Sequence, residues 1–231
     1  MQDGQRVVLC GVSGVLVQHD QPFREAVIRS SAAALGIAAA EVEYQDGGSD
    51  PETLRRTLLA SGARTAELPS LLERAAALLR EHLRDGREAI AAASRTPGSA
   101  ELLTQLKHRQ QAPISALTGH TRDNAATLLA AIGLDRYLDL GLGGYGDEAS
   151  DRSELLSIAQ AKVAAGCGAE QAGRIVVLTD VAADLTAAAA LGLRTVGVAS
   201  GPAAAELAAA GAERVLPGLA DVPAALAAIL D

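Results

Sequence analysis

Short apolar runs at residues 7–12, 114–118 and 175–179 each break into a polar or glycine-containing turn, and helical patterns separate them. Runs of this length, apolar throughout rather than alternating, suit strands of a parallel sheet covered on both faces. Such strands deliver functional groups at their C-terminal ends. Two further runs, 195–199 and 214–216, continue the series. Strand alternating with helix predicts an α/β protein with a doubly wound parallel sheet, a Rossmannoid core.

The stretch between the first and second runs breaks the alternation. From Leu68, the apolar positions Leu71, Leu72, Ala75, Leu79 and Leu83 follow a helical spacing of three and four, and Asp50-Pro51-Glu52 reads as an N-cap with proline in the first turn. An α-helical insertion at 18–95 follows. The core is then 1–17 and 96–231, with Arg95-Thr96-Pro97-Gly98 as the return hinge.

Composition narrows the function. A chain of 231 residues buries roughly 70% of its unfolded surface. The interior is built mainly from Ala, Leu and Val, because hydrophobic residues make up 49% and aromatics only 2%. Few aromatics, a net charge of −8 and no long basic run argue against nucleic acid as a partner. No segment approaches the roughly 20 apolar residues of a membrane span, and the first residues, MQDGQRVVL, do not read as a signal peptide. Cys10 and Cys167 lack metal-ligand or redox-pair spacing. These features predict a soluble, cytoplasmic protein with reduced thiols.

Four segments at or after these runs gather glycine, hydroxyl, basic and acidic residues. The first run opens into Gly11-Val12-Ser13-Gly14-Val15, and the second ends in Thr118-Gly119-His120. Asp151-Arg152 precedes a helical pattern, and the third run ends in Asp180-Val181-Ala182-Ala183-Asp184. Together they resemble the motifs of the haloacid dehalogenase (HAD) superfamily, in its phosphoglycolate-phosphatase-like branch with a helical cap. The resemblance implies a HAD-like Rossmannoid core, a phosphate seat at Thr118, Gly119 and His120, and a neutralising cation at Arg152. It also implies vestigial metal ligands at Asp180 and Asp184. Residue by residue, other readings compete: Thr118 as a cap for the helix starting near Thr121, Arg152 as a surface residue, Asp180 as a helix N-cap and Asp184 as a first-turn acid.

Where the family carries its nucleophilic aspartate and its acid/base aspartate, this chain has Gly11 and Ser13. Glycine can neither attack phosphorus nor ligate Mg²⁺, and a hydroxyl does not readily donate and recover a proton near neutral pH. The expectation is a degenerate member, a pseudoenzyme with no confirmed catalytic residue and no cofactor beyond a residual Mg²⁺ site. Such a protein would act as a non-catalytic subunit, scaffold or chaperone for a protein partner, for instance a biosynthetic enzyme, in a hetero-oligomer. The alternatives are an enzyme with changed chemistry in the cap–core cleft, or a sensor of a small phosphorylated ligand. Among displaced nucleophiles, Cys10 points to the face opposite Gly11 and reads as a core thiol. Ser13 and His120 form a candidate nucleophile–base pair with no third orienting group identifiable. The other histidines, His19, His82 and His108, are scattered, and Glu41, Glu43 and Asp46, like Arg55 and Arg56, read as a solvated face of the cap.

Overall fold

The computed structural model describes residues 6–18, 21–42, 47–93 and 95–231, so His19, Glu43 and Asp46 lie outside the described residues. The chain opens with β1 (Val7–Cys10) and then runs through α1 (Gln21–Leu35), α2 (Asp50–Ala60), α3 (Leu68–Asp85) and α4 (Arg87–Ala93). It returns through α5 (Ser99–Thr104) to β2 (Ile114–Thr118), α6 (Arg122–Ala131), β3 (Gly144–Tyr145), α7 (Arg152–Cys167) and α8 (Ala169–Ala172). Alternation resumes with β4 (Ile175–Thr179), α9 (Ala182–Ala190), β5 (Arg194–Val198), α10 (Pro202–Ala209), β6 (Arg214–Leu216) and α11 (Val222–Leu230).

The six strands form one sheet in the order β3-β2-β1-β4-β5-β6, and every neighbouring pair is parallel. From the central β1 the chain winds out to β2 and β3 on one side, then to β4, β5 and β6 on the other. The connections therefore diverge between β1 and β4, which opens a crevice at the strands' C-terminal ends. Strands β2, β4 and β6 match their apolar runs, whereas β1 stops at Cys10 and β5 begins one residue early, at Arg194. The two-residue β3 has no apolar run to announce it. It exists because Gly144 and Tyr145 pair with Leu117 and Thr118.

Alternation within each strand divides the interior into two layers. Val8 and Cys10 of β1 join Ile114, Ala116, Val176 and Leu178 on one face, while Val7 and Leu9 join Leu117, Ile175 and Val177 on the other. Both faces are covered by helices, hence the uninterrupted apolar runs. The first layer also takes in Phe23, Val27, Leu54, Leu79 and Leu83, so α1, α2 and α3 share one apolar cluster with Leu102 of α5 and Leu128 of α6.

Local signals account for most helix ends. The side chains of Thr121, Asp151 and Asp221 cap α6, α7 and α11, and α2, α3, α10 and α11 carry proline in the first turn. Asp50 departs from expectation: Ser49 is the N-cap of α2, its hydroxyl accepting from the Glu52 N–H, and Asp50 is the first helical residue. Where the chain returns from α4, Arg95 makes an isolated antiparallel bridge with Val17, and the Thr96 N–H donates to the Leu16 carbonyl at 3.1 Å. Gly98 then sits at φ 83°, where a Cβ would fall on the Leu219 carbonyl oxygen. Among the described residues no helix is long and apolar enough to cross a membrane.

Candidate active site

The crevice at the strand ends opens into a cavity of about 650 Å³ lined by Gly11, Ser13, Thr118, His120, Arg152 and Asp180, among others. Gly47, Gly48, Asp50 and Thr53, from the stretch between β1 and β2, also line it. All eight residues expected at the site (Gly11, Ser13, Thr118, Gly119, His120, Arg152, Asp180 and Asp184) line this one cavity.

After β1 the backbone turns sharply. The Gly14 N–H donates to the Val17 carbonyl and the Val17 N–H to the Val12 carbonyl, each at 2.8 Å. Gly14 adopts φ 82°, and a Cβ there would fall on the Asp180 carboxylate. Only glycine lets the loop close against Asp180. At Gly11 the space is less strict: a Cβ would lie 3.0 Å from Val15 Cγ2 and 3.7 Å from Asp180 Oδ1.

The turn delivers Ser13 to His120, with Ser13 Oγ 2.8 Å from His120 Nε2. On the other side of the ring, His120 Nδ1 lies 2.8 Å from Asp50 Oδ1. The second carboxylate oxygen, Asp50 Oδ2, accepts from the Thr121 N–H at 2.9 Å and from Asn124 Nδ2 at 2.7 Å. The Asp50 N–H in turn donates to the Gly119 carbonyl at 2.8 Å. The side chains of His120 and Asp50 are only 6% and 5% exposed, and the Phe23 ring meets the imidazole edge-on at 4.6 Å. An ionised carboxylate only accepts, so Asp50 assigns the proton to Nδ1 and leaves the Nε2 lone pair facing the Ser13 hydroxyl. The sequence identified no third orienting group for Ser13 and His120; in the structure Asp50, at the head of α2, holds that place.

A second polar cluster lies beyond Gly11. Arg152 Nε donates to the Gly47 carbonyl at 2.8 Å, and its Nη1 stands 3.4 Å from Asp184 Oδ1, an ion-pair distance without hydrogen-bond geometry. Asp184 Oδ2 accepts from Thr179 Oγ1 at 2.8 Å. Burial pushes the Asp184 carboxyl up from its ordinary value, against the opposing pull of the Arg152 guanidinium and the Thr179 hydroxyl. Arg152 is thus no surface arginine, its side chain being 11% exposed. Asp184 occupies the first turn of α9 but turns inward. Asp180 is not an N-cap: that position belongs to Val181, which has no side chain able to cap. Nor does Thr118 cap α6, since Thr121 does so; Thr118 Oγ1 accepts from the His120 N–H at 3.2 Å.

These donors do not suit a divalent cation. Mg²⁺ wants several hard oxygens in near-octahedral order, yet Gly11 offers no carboxylate and both oxygens of Asp184 face Thr179 and Arg152, so of the expected ligands only Asp180, beside Gly14, is not held by that pair. No group of three or more His, Cys, Asp or Glu able to hold a metal occurs among the described residues. The guanidinium of Arg152 supplies positive charge next to Asp184 instead.

The remaining singled-out residues among those described lie outside the cavity lining. Cys10 is fully buried, and desolvation pushes its thiol up to about 12. His82 Nδ1 lies 2.9 Å from Ser30 Oγ, and His108 meets the Tyr137 ring edge-on. Glu41 is exposed, and Arg55 and Arg56 both pair with Glu52. Asp50 and Phe23 are the site residues that sequence reasoning missed. An aspartate beside a helix-opening proline looks like any helix start, so no local signal marked it.

The six-stranded parallel sheet and its flanking helices define an α/β protein with a Rossmannoid core, and solved structures share that fold. A hydrolase from Pseudomonas syringae matches with TM-score 0.67 and 19% identity, over 98% of this chain and 100% of that one. CbbY from Rhodobacter sphaeroides, in complex with phosphate, matches with TM-score 0.68 and 20% identity, over 94% and 96% of the two chains. A haloacid dehalogenase-like family hydrolase from Streptococcus pneumoniae matches with TM-score 0.61 and 14% identity, over 96% and 99%. No family model and no curated protein sequence matches the chain. These likenesses show the fold over nearly the whole length.

Proposed function

We propose that this protein is an enzyme of changed chemistry, acting on a small molecule in the cleft between the strand ends and the inserted helices. In this reading His120 is its acid–base group, and neither an aspartyl-phosphate nor a divalent metal takes part. The observation that carries this reading is the two-sided hold on His120, whose Nδ1 meets a buried carboxylate while its Nε2 meets a hydroxyl lining the cavity. An imidazole fixed in one tautomer and aimed at a cleft is what general acid–base catalysis requires.

Turnover of a panel of small esters and phosphate esters, measured with a chelator present, tests the reading. Activity that survives the chelator and is lost in His120→Gln, with the circular dichroism spectrum unchanged, is the expected result. Activity that requires added Mg²⁺, or that persists in His120→Gln, would overturn it.

A second reading, a non-catalytic subunit for a protein partner, draws its support from Gly11 at the position of the family's nucleophile. Native mass determination of the untagged protein from its own cells tests this directly. A stoichiometric complex whose activity survives His120→Gln favours the subunit over the enzyme.

A further inference from the structure

We propose, building on the cleft enzyme described above, that Ser13 is the nucleophile of a Ser13–His120–Asp50 triad. Its substrate class is carboxylic esters or thioesters, cleaved through an acyl-Ser13 intermediate. Ser13 lies in a cavity-lining turn, the imidazole touches its hydroxyl, and a buried carboxylate holds the imidazole from behind. The order of roles, nucleophile to base to orienting acid, is the one that activates serine in unrelated folds.

The three groups come from separate parts of the chain. Ser13 follows β1, His120 follows β2, and Asp50 begins α2 in the inserted helices. Each is held by its own local structure: the turn around Gly14 fixes Ser13, the Thr118 hydroxyl takes the His120 N–H, and Asp50 is tied to Thr121, Asn124 and Gly119. Only Ser13 is partly exposed, as a nucleophile must be.

The order of roles at Ser13 favours an acyl electrophile. Arg24 and Arg152 line the cavity together with the Asp180 and Asp184 carboxylates, so charge alone does not separate esters from phosphate esters. An ester carbonyl is neutral until attacked, and its oxyanion needs only N–H donors. The Val12 and Ser13 N–H groups make no hydrogen bond to the described residues, so this turn has donors to offer.

In the first step Ser13 Oγ bonds to the carbonyl carbon, its proton passes to His120 Nε2, and the carbonyl π pair moves to oxygen. Collapse of the adduct breaks the bond to the alcohol or thiol, which leaves with the proton from His120. Water then attacks acyl-Ser13, giving its proton to His120. The second collapse returns that proton to Ser13 Oγ and releases the acid. The sum is ester plus water to acid plus alcohol, with no change of oxidation state. Asp50 touches no reacting atom and is a positioning residue.

The full-length protein treated with an alkyl fluorophosphonate, then analysed by intact mass and peptide mapping, tests the assignment. One adduct on Ser13 is expected, together with a burst from p-nitrophenyl acetate. Both vanish in Ser13→Ala, and turnover falls by about 10³- to 10⁴-fold in Asp50→Asn, as for a triad whose imidazole loses its tautomer. Thermal melting of each variant confirms that it is folded, and Asp50→Glu should recover part of the rate. No adduct on Ser13 in the folded protein, or a phosphorylated Ser13 after treatment with a phosphate ester, overturns the proposal. If turnover needs His120 but leaves no Ser13 adduct, the nucleophile assignment fails while the cleft enzyme stands. If turnover does not need His120, both fail.

Discussion

Asp50 and His120 are 70 positions apart, yet Asp50 Oδ1 lies 2.8 Å from the imidazole Nδ1. The contact joins the head of α2, in the inserted helices, to the loop after β2, so one carboxylate both orients a side chain and fastens the insertion to the sheet.

Asp50 accepts hydrogen bonds from three groups: the imidazole, the Thr121 N–H and the Asn124 amide. Replacing it with alanine leaves these buried donors unsatisfied. Asp50→Ala should lose about 3 kcal/mol of stability, read as a lower urea midpoint at unchanged m-value. Asp50→Asn keeps the volume and should lose less.

Arg152 is the countercharge of a carboxylate with no other ionic partner among the described residues. Arg152→Ala should destabilise the protein by about 3–5 kcal/mol at neutral pH, because it leaves a buried charge uncompensated. The pH dependence has a definite sign. Asp184 is already held above its ordinary value of 3.8 in the fold, so its contribution is present below that value and is lost as pH rises through the folded value. Removing Arg152 raises the folded value further and steepens the loss. Denaturation of both proteins across the acidic range should show their stabilities converging toward low pH.

Placing aspartates at positions 11 and 13, as in the superfamily the motifs resemble, should not confer that superfamily's reaction. In Gly11→Asp the new Cβ meets Val15 Cγ2 at 3.0 Å, and the carboxylate enters beside Asp180. Overpacking and like charge should cost about 1–3 kcal/mol. The Gly11→Asp, Ser13→Asp protein should release no p-nitrophenol from p-nitrophenyl phosphate with Mg²⁺, since Asp184 remains engaged by Arg152 and Thr179.

The two thiols should separate cleanly by reactivity. Cys10 is fully buried with its thiol pushed up to about 12, while Cys167 is half-buried and raised less far. At pH 8 a thiol-reactive disulfide reagent should modify Cys167 slowly and Cys10 only after denaturation.

The sheet was readable because parallel strands covered on both faces are continuous apolar runs. Residues 114–118, 175–179 and 214–216 became β2, β4 and β6 over the same spans. The runs did not disclose β3, whose two residues are strand only by virtue of their neighbours. The spacing of polar residues after those runs also located the cleft, because a doubly wound sheet gathers its strand ends at one edge.

Within that cleft the sequence by itself determined which groups are missing: Gly11 has no side chain in any conformation. Tertiary structure alone decided what the remaining groups do. Whether Asp50 caps a helix or orients an imidazole depends on where α2 docks, and whether Arg152 faces water or Asp184 depends on how α7 and α9 pack. Hydrogen bonds and ion pairs act over about 3–4 Å, whereas Arg152 and Asp184 stand 32 positions apart and Ser13 and His120 stand 107 apart. No local pattern encodes such a distance; only the packed chain does.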